Sequence, residues 1–281
     1  MVKKLRQPPF GLRQGPSLLY ISLYLLVKAE DLIVFCEKAY QPYLSAADMA
    51  LLLKRPDLFT VKTFVADEAH QEIFSVYKTV FETAEIKVDA NLRNATMLGV
   101  VGPLMKFIDE LPNYSKRTCS ISKKAQRVRT AVSNAVDPLR FLFEELPSAL
   151  GIDTINTDIS FQSWELESNL RSVLVELGGA FNELKQKIVK VFLEKFHSDS
   201  LEQLYASQNP KGQQLLAFCD STELRPVLQA MARKEEDLLT WVQGIAGAVL
   251  KKPVDVWTDG DFRTFRIRLV DYIDRIEQLA V

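Results

Sequence analysis

Two adjacent acids at residues 67 and 68 are the side chains in this sequence whose types and spacing come closest to a catalytic motif. Asp67 and Glu68 stand in the segment FVADEAHQEIF, followed by Ala69 and His70. An Asp in such a pair can hold a magnesium ion while the Glu polarises a water molecule for attack on ATP. That chemistry also needs a glycine-rich loop that surrounds the phosphates with backbone N–H groups and ends in Lys and Ser or Thr.

The letters DEAH resemble the box that names one large group of helicases, but the sequence contains no phosphate-binding loop. The upstream glycines, Gly11 and Gly15, stand in GLRQGPS, where Pro16 takes the place of the Lys and has no N–H to donate. The segments GVVGPLMK and ELGGAF also lack the Gly-Lys-Ser/Thr ending. Asp67 is instead typical of a helix N-cap, with Glu68 in the first turn. We therefore interpret the pair as the start of a helix.

No other set of residues predicts an enzyme, a metal site or a bound cofactor. His70 and His197 have no second ligand at a metal-binding spacing, and no Ser or Cys stands beside a His as an activated nucleophile. His197 is expected to cap the end of a long helix. Neighbouring acids such as Glu144 and Glu145 diverge by about 100° on a helix, so they do not converge on one substrate atom. We expect no enzymatic activity, no catalytic residue, no cofactor and no metal.

One local concentration of charge could bind an anionic partner. The segment SKRTCSISKKAQRVR contains six basic side chains and no acid: Lys116, Arg117, Lys123, Lys124, Arg127 and Arg129. Such a segment could hold several phosphates of a nucleic acid, and this binding would weaken steeply with salt. A basic loop and helix face balanced by acidic neighbours in the fold explains the same residues, and we prefer it because charge runs are usually solvated. Tyr114 is the only aromatic residue nearby, too little for a platform on which bases could stack.

Composition limits the classes of protein further. The chain has 281 residues, of which 47% are hydrophobic and 25% charged, and its formal net charge is -1. These values are typical of a globular protein and exclude coating of nucleic acid or anionic membrane through bulk charge. Three widely spaced cysteines indicate a reducing compartment, so we predict a cytoplasmic location. The most apolar run, SLLYISLYLLV, is shorter than the ~20 residues of a membrane span, and no membrane partner is expected.

The first 66 residues mix helical and strand patterns. A helix is predicted from Pro16 to about Ala29, with Tyr20, Leu23, Tyr24 and Val27 on one face. Strands are predicted at DLIVFCE, at AYQPYL and at FTVKTFV, with a helix capped by Ser45 before the third. This order is compatible with a small winged-helix-like α/β module over residues 1–66.

Residues 67–281 show helical periodicity almost throughout. Helices are predicted at 98–111, 122–136, after Asp137, at about 160–196, 211–219, 222–233 and 235–250, and from Thr258 to the end. Gly178 and Gly179 are expected to form a weak point or a close helix contact within the longest helix. The predicted fold class is mainly α, with the small N-terminal α/β module followed by a multi-helix bundle.

Several phrases of the sequence resemble one region of large bacterial P-loop ATP-binding proteins, downstream of their nucleotide-binding domain. The phrases are PPFGLRQGP, LLLKRPDLF, PLMKFIDELPNYSKRT, VDPLRFLFEELPSALG and KKPVDVWTDGDFRTF, and they follow one another in the same order as in that region. The resemblance implies a winged-helix-like and helical accessory region without the ATPase domain itself. ATP binding is not carried over, because the phosphate-binding loop is absent.

Two hypotheses for function follow. The favoured one is a non-enzymatic helical interaction module, a fragment or a stand-alone relative of such an accessory region, which acts through contact with a protein partner such as an ATPase. The alternative is a nucleic-acid-binding module that uses the winged-helix-like part or the basic residues between 116 and 129.

Overall fold

The structure is a computed structural model that describes residues 2–28, 31–41, 44–63, 68–84, 86, 97–152 and 159–279. It is mainly helical with one small antiparallel sheet, which confirms the predicted class at that level. The elements up to the end of the sheet are α1 (Val2–Arg6), α2 (Gln14–Val27), β1 (Leu32–Cys36), β2 (Ala39–Tyr40), α3 (Ala46–Lys54) and β3 (Phe59–Thr63).

The rest of the described chain is helical. The helices are α4 (Glu68–Thr83), α5 (Met97–Glu110), α6 (Asn113–Arg117), α7 (Lys123–Ser133), α8 (Pro138–Arg140), α9 (Leu146–Leu150), α10 (Ile159–Phe196), α11 (Leu201–Leu216), α12 (Leu224–Ala232), α13 (Leu238–Leu250) and α14 (Asp259–Leu279). Short 3₁₀ turns lie at Pro56–Leu58 and Val254–Val256, and a π-helical segment, Phe141–Glu145, joins α8 to α9.

The chain forms two compact units. Residues 1–110 and 123–175 make up the first, and residues 111–122 and 176–281 the second. Helix α10 contributes residues to both. The predicted division at residue 66 falls in 64–67, outside the described residues, and it stays a prediction.

The sheet of the first unit is built on β1, which pairs with β2 on one side and β3 on the other. Leu32 lies opposite Thr63 and Phe35 opposite Tyr40, and both pairings are antiparallel. The β1–β2 connection is a two-residue hairpin turn. Both of its residues, Glu37 (φ 50°) and Lys38 (φ 72°), have a positive φ. These conformations are those of a type I′ turn, for which Asn and Gly are the usual residues. All three strands agree with the sequence pattern.

One face of α2 covers this sheet. Ile21 and Leu25 pack with Leu32 and Val34 of β1 and with Leu52 of α3. Helix α3 begins as predicted at Ser45, whose hydroxyl accepts from the backbone N–H of the third helical residue. The carboxylate of that residue accepts in return from the Ser45 N–H, which completes a capping box.

The helical part of the first unit packs on aromatic side chains of α4. Phe74, Tyr77 and Phe81 are fully buried. The Tyr77 hydroxyl donates to the Leu142 carbonyl at 3.0 Å, inside the π-helical segment. Burial of this hydroxyl raises the pKa of Tyr77 far above its ordinary value. Helix α8 starts as predicted, with the Asp137 carboxylate accepting from the Leu139 N–H at 3.0 Å.

The second unit has an apolar core in which rings of three elements meet. Phe265 of α14 lies 5.7 Å from Phe192 of α10 and 5.3 Å from Trp257, between ring centroids. The indole N–H of Trp257 donates to the Lys252 carbonyl, and that of Trp241 to the Met231 carbonyl. Both indoles therefore bury their rings without leaving an N–H unsatisfied.

Two predictions for this unit need correction or completion. The helix predicted at 211–219 is α11, which begins ten residues earlier because Ser200 caps it, its hydroxyl accepting from the Gln203 N–H. The helix continues through Pro210. Helix α10 is continuous through the glycine pair, and a weak point there stays a prediction. A Cβ added at Gly179 would meet nothing within 4 Å, so the alternative of a close helix contact is wrong at Gly179.

Candidate interaction surfaces

Of the acid pair at 67–68, the structure describes only Glu68, which begins a helix as predicted; the predicted N-cap at Asp67 stays a prediction. Helix α4 begins at Glu68; Asp67 itself lies outside the described residues, as do the side chains up to His70. The strand that precedes this site, β3, is antiparallel to its one neighbour and mostly solvent-exposed. Nucleotide-hydrolysing motors place such an acid at the end of a buried parallel strand, so the surroundings do not match that site.

Residues that could hold a metal ion do not gather in the described part of the chain. No group of three or more His, Cys, Asp or Glu side chains with suitable geometry is found there. Cys36 is half-buried, Cys119 exposed and Cys219 buried, and none of the three forms a disulfide. Burial raises the pKa of Cys36, which makes its thiol less reactive rather than more. His197 directly follows α10 with a positive φ of 51°, the position at which many helices end.

The six basic residues between 116 and 129 are divided between the two units. Lys116 and Arg117 form the last turn of α6, and the other four lie on α7. On α7, Lys123 and Arg127 are exposed and one helical turn apart, so they share a face. Lys124 is half-buried and donates to the Asn169 side-chain oxygen at 2.9 Å. Arg129 points away from Arg127, because two residues on a helix diverge by about 200°.

The partly buried carboxylate of Asp259 holds residues 111–122 in the second unit through hydrogen bonds. Asp259, at the start of α14, accepts hydrogen bonds from the hydroxyls of Tyr114 (3.0 Å), Thr118 (2.6 Å) and Ser120 (3.1 Å) and from the Cys119 N–H (2.7 Å). Burial favours a higher pKa, but the hydrogen bonds outweigh it and hold the pKa of Asp259 below its ordinary value. All four donors are internal, so this cluster is structural. The sequence pattern indicates only the Thr258–Asp261 capping box beside it, which is present.

The second unit also has a groove of about 590 Å³ beside α13. Its charged lining residues are two basic ones, Arg233 and Lys252, and two acids, Glu235 and Asp255. Arg233 pairs with Glu235 at 3.3 Å, and Lys252 pairs with Asp261 at 2.6 Å. The groove therefore has no excess of one sign of charge with which to select a charged ligand.

Comparison with known proteins does not assign the chain to a family: no family model matches it, and neither a curated protein nor a solved structure shows significant similarity to it. The surfaces themselves are therefore the basis on which function is argued.

The most apolar surface in the described part of the chain surrounds α2. Half of the large apolar side chains that the described residues expose lie between residues 10 and 27: Phe10, Leu19, Tyr20, Leu23, Tyr24, Leu26 and Val27. Val27 is 79% exposed and Leu19 59%. Exposed patches of this kind mark sites of contact with other molecules. Among the described residues, no helix has the length and apolarity of a bilayer-spanning segment.

Part of this surface is concave and forms a groove of about 690 Å³, which we call the α2 groove. Its walls are Leu5 of α1, Phe10 and Leu12 of the turn after α1, and the α2 stripe Tyr20, Leu23, Tyr24 and Val27; Ile21 and Lys28 also contribute to the lining. The turn is held by the Phe10 N–H, which donates to the Gln7 carbonyl, and by the Leu12 N–H, which donates to the Leu5 carbonyl. These bonds fold Phe10 and Leu12 back toward α2.

The sequence predicts the α2 stripe but not its exposure. Periodicity places Tyr20, Leu23, Tyr24 and Val27 on one face, and that face would ordinarily be the buried one. The structure buries the opposite face, with Leu18, Ile21 and Leu25, against the sheet. The signal that could have revealed this is the absence of any polar face in SLLYISLYLLV apart from two serines. Both hydroxyls are satisfied within the helix, Ser17 on the Arg13 carbonyl and Ser22 on the Leu18 carbonyl.

Proposed function

We propose that this chain is a non-enzymatic interaction module that acts through contact with another protein. The observation that carries the proposal is the exposed apolar surface of α2. A helix that is apolar on all sides is usually buried on all sides, and here one side faces solvent. The absence of a phosphate-binding loop from the sequence and the internal pairing of Asp259 support a role without catalysis.

The resemblance to the accessory region of large bacterial ATPases supports an ATPase as the partner. In this proposal the chain is a fragment or a stand-alone relative of that region, and residues 1–66 are its winged-helix-like module. The order α2, β1, β2, α3, β3 supports that assignment. Three cysteines outside any disulfide support a cytoplasmic location. An ATPase gene immediately upstream of the coding sequence would support the partner, and its absence there would favour another protein.

Site-specific photo-crosslinking in the native host tests the contact. A photoreactive phenylalanine analogue at Leu23 places the reactive group on the α2 surface, and the same analogue at Ile267, which is 75% exposed on α14, is the matched control. We expect discrete protein adducts from position 23 and none of the same mass from position 267. Equal adducts from both positions, or none from position 23, would refute a specific protein contact at α2.

A second candidate function is nucleic-acid binding by the basic residues. It is favoured by Lys123 and Arg127, which present two charges to solvent from one face of α7. The test is binding to mixed duplex and single-stranded DNA at low and high salt. Charge reversal of both residues should abolish binding if they form the site, whereas Lys190→Glu, an exposed charge on α10, should have little effect. Absence of salt-sensitive binding at micromolar protein removes this candidate.

A further inference from the structure

We propose that the α2 groove binds an amphipathic helix of a partner protein whose apolar stripe is flanked by Asp and Glu. This inference rests on the proposed function, since it names the chemistry of the partner at the same surface. Three properties of the groove lead to it: its apolar lining, the sign of the charges around it, and its shape.

The lining requires an apolar occupant. Tyr20, Leu23, Tyr24 and Val27 lie at successive steps of three, one and three residues, so they form a continuous stripe along two turns of α2. Leu5 and Phe10 face this stripe from the other wall. From Gly15 to Val27, α2 contains no charged side chain at all. A partner that fills the groove must therefore present apolar groups with a similar spacing.

In the sequence, the charged residues that flank the lining residues from Leu5 to Val27 are all positive. The basic rim consists of Lys3, Lys4, Arg6 and Arg13, each within two residues of a lining side chain. Residues 1–29 include no acid, and within the described part of the chain none of these four side chains makes an ion pair. Lys28, at the far end, is already paired with Asp31 at 3.0 Å. Charge complementarity thus requires carboxylates beside the apolar stripe of the partner.

The same rim argues against a second copy of this chain in the groove. A symmetric dimer brings the same patch of both copies together, so each basic rim would face the other. Four like charges on each side would repel one another at low and moderate salt. A partner with the opposite charge has no such repulsion.

The concave shape favours a helix over a lipid surface. An anionic lipid surface also combines negative charge with apolar groups, so charge and apolarity alone do not separate the two. A bilayer presents a broad surface that does not enter a groove with two walls, whereas a helix of about 10 Å diameter does. Helix α2 has 14 residues and is therefore about 21 Å long. A partner helix of roughly four turns would match this length.

The experiment selects peptides on the full chain from a display library. Each peptide has about 18 residues, or five helical turns, with apolar residues at i, i+3, i+4 and i+7 and flanking positions drawn equally from Glu, Lys and Gln. The groove variant is Leu23→Gln with Val27→Gln, and its control is Ile267→Gln. The rim variant is Lys4→Glu with Arg13→Glu, and its control is Lys190→Glu. All these side chains are exposed, so the variants should fold, as circular dichroism can verify.

We expect the selected peptides to be enriched in Glu at the flanks and to lose affinity by roughly tenfold or more on both the groove and rim variants. The two controls should bind within about twofold of the wild type. Enrichment of Lys or Gln, binding that ignores the groove variant, or no selected peptide would overturn the inference. Binding of phosphatidylserine vesicles that requires Leu23 and Val27 would overturn it in favour of a membrane surface. If selection fails while crosslinks from Leu23 persist, this inference is wrong and the protein-contact function stands.

Discussion

Replacement of Asp259 by Asn should destabilise the second unit much more than its small change in shape suggests. One carboxylate oxygen accepts from the hydroxyls of Tyr114, Thr118 and Ser120, and the other accepts from the Cys119 N–H. An amide can keep only one acceptor, so its NH₂ group would face the Cys119 N–H even in the better orientation. The three remaining bonds also lose their charge.

The expected magnitude follows from these four bonds. A hydrogen bond to a charged group contributes about 1.5–3 kcal/mol and a neutral one about 0.5–1.5 kcal/mol. Loss of one charged bond and weakening of three others, reduced because Asp259 is partly exposed, gives about 2–4 kcal/mol. Asp274→Asn removes the same charge from an exposed position of the same helix, so it should change the free energy of unfolding by less than about 0.5 kcal/mol.

Tryptophan fluorescence in urea measures this effect where it occurs. Trp241 and Trp257 are buried in the second unit, while Trp164 is 69% exposed and can be replaced by Phe. The emission shift on unfolding then reports the second unit. A double-mutant cycle of Asp259→Asn with Thr118→Val should give a coupling energy of about 1 kcal/mol or more. An unchanged urea midpoint, or equal losses in the Asp259 and Asp274 variants, would refute the reasoning.

The same carboxylate makes the stability difference depend on pH. Because the pKa of Asp259 is lowered on folding, its contribution is complete above the unfolded-state value of about 3.9 and is lost as the pH falls through the folded-state value. We therefore expect the difference in free energy of unfolding between wild type and Asp259→Asn to be constant from about pH 7 to pH 5 and to decrease below about pH 4. Urea titrations across this pH range test the expectation. A difference in free energy of unfolding that increases toward about pH 3 would contradict a lowered pKa of Asp259.

Three further predictions concern Gly212, with Gly244 as its control, Lys38 and Tyr77. Gly212→Ala should destabilise the protein by at least about 1 kcal/mol, since the new Cβ would lie 2.8 Å from the Met231 Cβ. Gly244→Ala places its Cβ in open space, so it should be neutral or stabilising by about 0.5–1 kcal/mol. Thermal unfolding compares the two variants, and equal shifts in Tm would show that the close contact at Gly212 is absent. Lys38→Gly should stabilise the hairpin by about 1 kcal/mol because glycine adopts positive φ without strain, and an unchanged or lower urea midpoint would contradict that. Tyr77→Phe should lower the free energy of unfolding by about 1–2 kcal/mol, because it leaves the buried Leu142 carbonyl in the π-helical segment without its donor. An unchanged free energy of unfolding in urea would mean that the hydroxyl contributes nothing.

Local signals in the sequence predict the ends of several elements correctly. Ser45, Asp137 and Thr258 each cap the helix for which they were proposed, because a cap depends only on residues two or three positions away. The three strands were found for a similar reason, since dense β-branched and aromatic residues stand between turn signals. Mainly helical architecture follows from the same local periodicity.

The features that failed or were missed depend on distant residues. Asp259 binds side chains about 140 positions earlier in the chain, and no local pattern indicates that pairing. The α2 groove was missed for a different reason, because periodicity identifies an apolar face but not which of two apolar faces the fold covers. The basic segment is one patch in the sequence, but its consecutive residues belong to two separate units of the fold.

The two apolar faces of α2 should leave different marks on a complete substitution scan. Loss of folding in isolated protein will concentrate at Leu18, Ile21 and Leu25, which pack on the sheet, with helical spacing between sensitive positions. In a living cell, where the protein must also perform its role, Tyr20, Leu23 and Val27 should become intolerant as well, and the spacing pattern along the helix should disappear. Subtracting one map from the other would outline the area that the partner covers, whatever protein that partner is.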